Sequence, residues 1–116
     1  MLSAAAIAEP LAVKKDLDAG DTVIYTAPDG SVVELTSLHM VNKDAVNDQI
    51  ITVYLQIMGV KVPITSINMV LKAAHTLEVI DGECNQKSIK NGDRVIVTAA
   101  TAAVIDCSLF GRVSYV

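Results

Sequence analysis

The sequence predicts an all-β chain folded as one antiparallel β-sandwich or jelly roll of about eight short strands. Three observations predict it. Hydrophobic residues make up 52% of the 116 residues and are mostly Val, Ile, Leu and Ala, with one Phe, three Tyr and no Trp; β-branched side chains favour strands. Several runs alternate apolar and polar residues, the period of a half-buried strand. Clusters of Gly, Pro, Asn and Asp punctuate these runs at fairly regular intervals, with no helix–strand alternation.

The first thirteen residues are Ala-rich and carry no turn signal. They read as an N-terminal arm, residues 1–13, ahead of a single β-sandwich domain at 14–116. Leu2, Ile7, Leu11 and Val13 are the apolar residues of this arm that serve as candidate partner-binding positions, expected to be mobile in a monomer and ordered against a neighbour. Thr22 to Ala27 is the first clear strand, closed by Ala27-Pro28-Asp29-Gly30, where Pro presets a turn and Gly supplies positive φ. Ser31 to Val41 follows, and the two are expected to form a hairpin.

Asn42 to Asp48 is a polar loop. Beyond it, Ile51, Val53, Leu55 and Ile57 alternate with Thr52, Tyr54, Gln56 and Met58. Gly59 breaks that strand, and Val60 to Ile64 is a short partner whose Pro63 argues for a sheet edge. Ser66 to Ala74 has an apolar spacing compatible with two helical turns, but strands on both sides favour strand or irregular structure. Thr76 to Ile80 alternates again and stops at Asp81-Gly82. Asn91-Gly92 is a strong hairpin signal before the strand Arg94 to Ala99. The closing strand sets Ala103, Ile105, Cys107, Leu109, Val113 and Tyr115 on one side.

A chain of this length can bury a core without metals or disulfides. The net charge is −4 and the Lys and Arg residues are scattered, so there is no basic stripe of the kind that binds nucleic acid. Only 19% of residues are charged, which predicts exposed apolar surface and hence homo-oligomerisation or docking onto an assembly. The apolar stretch before Glu9 and Pro10 lacks a positively charged start, so no signal peptide is expected, and no run reaches the roughly 20 apolar residues of a membrane span. Synthesis in a cytoplasm follows. Cys84 and Cys107 are expected to be reduced, with Cys107 a small core hydrophobe.

No enzyme motif is found. Neither His39 nor His75 belongs to a nucleophile–base pattern. Cys84, Cys107, His39 and His75 lack zinc spacing, although a metal site at the two cysteines and one histidine is an alternative. Asp16, Asp18 and Asp21 are spaced as in a calcium loop but lack its other ligands, notably the terminal Glu. The glycines stand singly, so no phosphate cradle and no cofactor are expected. With Tyr54 and Phe110 the main candidates for an aromatic platform, a host-surface glycan-binding module is a secondary reading.

The stretch Tyr25-Thr26-Ala27-Pro28-Asp29-Gly30 and the strand Leu35-Thr36-Ser37-Leu38-His39-Met40-Val41-Asn42 resemble a pattern in small β-sandwich structural proteins of tailed bacteriophages. Leu77-Glu78-Val79, Asp81-Gly82 and Ile89-Lys90-Asn91-Gly92-Asp93-Arg94-Val95-Ile96-Val97 resemble that group's Gly-Asp hairpin and late strand. The Asn42 to Asp48 loop and Cys84-Asn85-Gln86-Lys87 depart from the pattern. The resemblance implies a non-enzymatic virion protein, foremost a capsid decoration or cement protein bound as an oligomer to the major capsid protein on the outside of a phage head. A tail, fibre or head-completion component is the alternative within the same group.

Overall fold

The computed structural model of the chain describes residues 8–81 and 87–115. Ten strands follow one another: β1 (Glu9–Lys14), β2 (Gly20–Thr26), β3 (Ser31–Asn42), β4 (Gln49–Ile57), β5 (Val60–Pro63), β6 (Met69–Leu71), β7 (Thr76–Asp81), β8 (Lys87–Lys90), β9 (Arg94–Ala99) and β10 (Ile105–Tyr115). They form two five-stranded antiparallel sheets packed face to face, the predicted all-β sandwich. The first sheet runs β1-β10-β3-β7, with β8 beside the other half of β3. The second runs β2-β9-β4-β5, with β6 beside the other half of β4.

The long strands β3 and β10 pair over nearly their whole length, from Ile105 opposite Asn42 to Tyr115 opposite Ser31. Alternation puts Ile105, Cys107 and Leu109 of β10 in the core with Leu38 and Met40 of β3. Beyond Thr36 the register shifts, Phe110 facing Ser37 and Gly111 facing Leu35. The extra residue is a β-bulge. It moves the inward positions of β3 from Leu38 and Met40 to Leu35 and Val33, so the core stays continuous. Gly111 is required here, because a Cβ would run into the Glu34 carbonyl oxygen and into Leu11 Cδ1. The opposing wall consists of Ile51, Val53 and Leu55 of β4 and Val95, Val97 and Ala99 of β9, all buried.

Several expectations need correction. Leu11 and Val13, assigned to an arm, belong to β1, whose residues pair with Gly111 through Cys107 of β10. Their pairing instruction lies in a strand nearly a hundred residues away, and a bulge at Leu11 hides the alternation. Leu2 and Ile7 lie outside the described residues. Thr22 to Ala27 and Ser31 to Val41 do not form a hairpin, since β2 pairs with β9 in one sheet and β3 with β10, β7 and β8 in the other. The Asn91-Gly92 turn likewise carries the chain from β8 in the first sheet to β9 in the second.

The two turns lie against each other and tie the sheets at one end of the sandwich. Ala27 N–H donates to the Asp93 carbonyl at 2.8 Å, Gly92 N–H to the Ala27 carbonyl at 2.9 Å and Asn91 N–H to the Ser31 carbonyl at 3.2 Å. Gly30 N–H donates to Asn91 Oδ1 at 2.7 Å. Gly30 and Gly92 have φ of 74° and 87°, which side chains disfavour. The edge position predicted for Pro63 is found, and Ser66 to Ala74, expected as strand or irregular structure, is the short strand β6 between two turns.

Candidate interaction surface

The outward face of the first sheet is polar and largely self-satisfied. His39 Nδ1 lies 2.5 Å from Glu78 Oε1 across the β3–β7 pair, and Glu34 pairs with Arg112 across β3 and β10. Lys43 bridges Asp16 and Asp106, at 2.9 Å from the latter. Burial favours the neutral acid at Asp106, but the Asp16 N–H and the Lys43 ammonium more than offset it and leave the carboxyl below its ordinary value. The same two carboxylates hold the Lys43 ammonium above its ordinary pKa, Asp16 contributing most.

On this face Glu78, His39 and Ser108 stand side by side on β7, β3 and β10, the order of acid, base and hydroxyl that nucleophilic catalysis uses. His39 and Ser108, but not Glu78, line a depression of about 100 Å³ together with Val13, Val41, Asp106 and Cys107. The β3–β7 register shifts here, with Leu38 opposite Ile80 and His39 opposite Glu78, a β-bulge at Val79. Cys107 is a buried free thiol whose pKa burial pushes up to about 11, the reverse of what a nucleophilic or metal-binding cysteine needs. Cys84 lies outside the described residues.

The second sheet presents different chemistry. Asp21 Oδ1 accepts from Thr98 Oγ1 at 2.6 Å and Oδ2 from Lys61 Nζ at 2.9 Å. These bonds hold the Asp21 carboxyl below the usual range. Lys61 Nζ also lies 4.5 Å from the Tyr54 ring centroid, a cation–π contact. Around this pair the surface is apolar. Val23 of β2 and Val70 of β6 are exposed on the outward face beside Ile96 and Ile50. Val60 and Val62 pair with Ile57 and Leu55 and so share the core-side face of the sheet. Yet they are 62% and 46% exposed, because β5 overhangs the first sheet. Met58 in the β4–β5 turn adjoins Val60, whereas Ile67 and Val70 are exposed beside the opposite end of β4.

An open groove lies between the β4–β5 turn and the β8–β9 turn, about 500 Å³ and lined by Ile57, Met58, Lys90, Asn91 and Asp93. The Asp93 carboxylate that faces it is already satisfied by Met58 N–H at 3.1 Å and Lys90 N–H at 3.2 Å. Among the sequence-predicted positions, Val13 is 71% exposed at the outward face of the first sheet, opposite Ser108. Leu11 is half-buried against the core cluster. The structure does not bring Val13 together with the apolar edge at β5, which sequence reasoning missed; the local signal was Val60-Lys61-Val62-Pro63, apolar in alternation on an edge.

Tyr54 and Phe110 are half-buried on different sheets and share no platform. Asp16 and Asp21 each face a lysine, and among the described residues no three His, Cys, Asp or Glu side chains are grouped to hold a metal ion. Among them, too, no helix is long and apolar enough to cross a membrane. No protein-family model, curated protein or solved structure matches the chain.

Proposed function

We propose that the chain is a non-enzymatic structural protein of a virion, a capsid decoration or cement protein that binds the outside of a phage head as an oligomer. The observation that carries this reading is the apolar edge of the second sheet at β5, where Met58, Val60 and Val62 stay exposed together. Exposed aliphatic residues gathered at an overhanging edge suit burial against another protein. The resemblance of the turn and strand segments to phage structural proteins supplies the particular class.

The test is to quantify the chain against the major capsid protein in particles purified from the cells that produce both. A ratio near unity supports decoration. A ratio of a few per cent, as symmetry at a tail or head–tail junction requires, moves the chain to those components. Complete absence from particles overturns the virion reading.

A further inference from the structure

We propose that Asn91-Gly92 is a fold-gated modification site, kept as asparagine by the contact between the two sheet-crossing turns and deamidated spontaneously when that contact opens. The chemistry is intrinsic to the dipeptide. The Gly92 backbone nitrogen attacks Asn91 Cγ, the bond from Cγ to the side-chain nitrogen breaks, and that nitrogen leaves as ammonia with the proton from the Gly92 amide. The resulting five-membered imide takes up water at either carbonyl and opens to aspartate or isoaspartate. Glycine makes the step easy, because no Cβ obstructs the approach and the backbone turns freely.

The fold works against the nucleophile and against the motion that ring closure needs. Gly92 N–H, the group that must become the nucleophile, donates to the Ala27 carbonyl at 2.9 Å. Asn91 Oδ1 accepts from Gly30 N–H at 2.7 Å; that bond polarises Cγ, but it ties the side-chain amide to the other turn and resists the rotation that ring closure needs. Asn91 N–H and Asp93 N–H are bound as well, to the Ser31 and Lys90 carbonyls, so the backbone on both sides is fixed with Asn91 at φ 37°. Asn91 and Gly92 are nevertheless exposed, so water and base reach the site as soon as the turns separate. Local opening of this kind is a normal fluctuation, with a free energy below that of global unfolding.

The product does not fit the same gate. Isoaspartate adds a methylene to the main chain between residues 91 and 92, which displaces the Gly92 N–H from Ala27. Either product adds a carboxylate beside Asp93, where a carboxylate already takes the Lys90 and Met58 amides. Conversion therefore loosens the tie between the sheets at this end of the sandwich and is one-way.

The experiment compares three samples at neutral pH and body temperature: the full native chain, the full chain in denaturing urea, and a short peptide spanning Ser88 to Val95. Conversion at Asn91 is followed by peptide mass and by isoaspartate content. The native chain is expected to convert at least about tenfold more slowly than the other two, in proportion to its Gly92 amide exchange. Asp93→Ala, which removes the side-chain ties to Met58 and Lys90, is expected to speed both conversion and Gly92 exchange. Equal rates in the native chain and the peptide overturn the gate. Conversion in the native chain that is slow but does not follow Gly92 exchange overturns its assignment to these hydrogen bonds.

Discussion

At the scale of single residues, the buried polar groups each have an identifiable task. Asn42 is 1% exposed and its side-chain amide faces three carbonyls, those of Asn47, Leu71 and Lys72, at 3.1 to 3.2 Å, while its Oδ1 accepts from Asp44 N–H at 2.9 Å. It holds the loop after β3 against β6. Asn42→Ala leaves those buried groups unpaired and is expected to cost about 2–3 kcal/mol, since each unsatisfied buried group costs about 1–3 kcal/mol; urea unfolding measures it, and a loss within error would mean that water replaces the amide. Cys107 gives a pH signature. Its thiol is raised from 9.0 to about 11 by burial, so the folded chain favours the protonated form. The corresponding stability is fully present below pH 9 and is lost as pH rises toward 11. Lys43, Lys61 and Tyr25 are also raised and add to the alkaline slope, so Cys107→Ala is expected to make that slope shallower in a series of urea melts, whereas an unchanged slope would place its whole origin in those groups.

At the scale of elements, the legible strands were those whose pattern is local. Ile51 to Ile57, Thr76 to Ile80 and Arg94 to Ala99 alternate or run apolar between turn residues, and each became a strand at nearly those bounds. Their partners were not legible, because Ala27-Pro28-Asp29-Gly30 and Asn91-Gly92 close a hairpin and cross between sheets with the same residues. What decides is the distant strand: β3 finds eleven partners along β10 and β2 finds β9. The same reason hid β1, whose role the structure makes testable. Among the described residues, deleting Met1 to Pro10 removes the Glu9 and Pro10 pairs with β10 and leaves Ala12, Val13 and Lys14 in place. It is expected to leave the fold intact. Deleting through Lys14 strips the whole strand from β10, uncovers an edge and removes the cover that Leu11 gives the core cluster. That chain is expected to unfold at lower urea or to aggregate, as bared edges do. If it is as stable as the shorter truncation, β1 contributes nothing to the domain.

At the scale of the molecule, the two sheets divide their duties. One lays His39–Glu78, Glu34–Arg112 and Lys43–Asp106 across its outward face, with Val13 exposed beside them, and the other leaves aliphatic side chains at an overhanging margin at β5. Of the candidate surface, the sequence disclosed the edge strand at Pro63 but not its overhang, which depends on how far the opposing sheet reaches. The assembly reading rests on that overhang and is separable from stability. Met58 and Val60 are 89% and 62% exposed in the single chain, so replacing both with Asp removes little buried area and is expected to change stability by no more than about 1 kcal/mol, at about 0.5 kcal/mol for each surface site. In an assembled interface the same change buries two unpaired carboxylates, which costs several kcal/mol per ion. The double variant is therefore expected to keep its circular dichroism and urea midpoint while losing self-association in light scattering and incorporation into particles. Retained association would exclude this margin as the interface and shift attention to Val13 on the opposite sheet. A loss of both fold and association would mean that β5 is needed to hold the second sheet together.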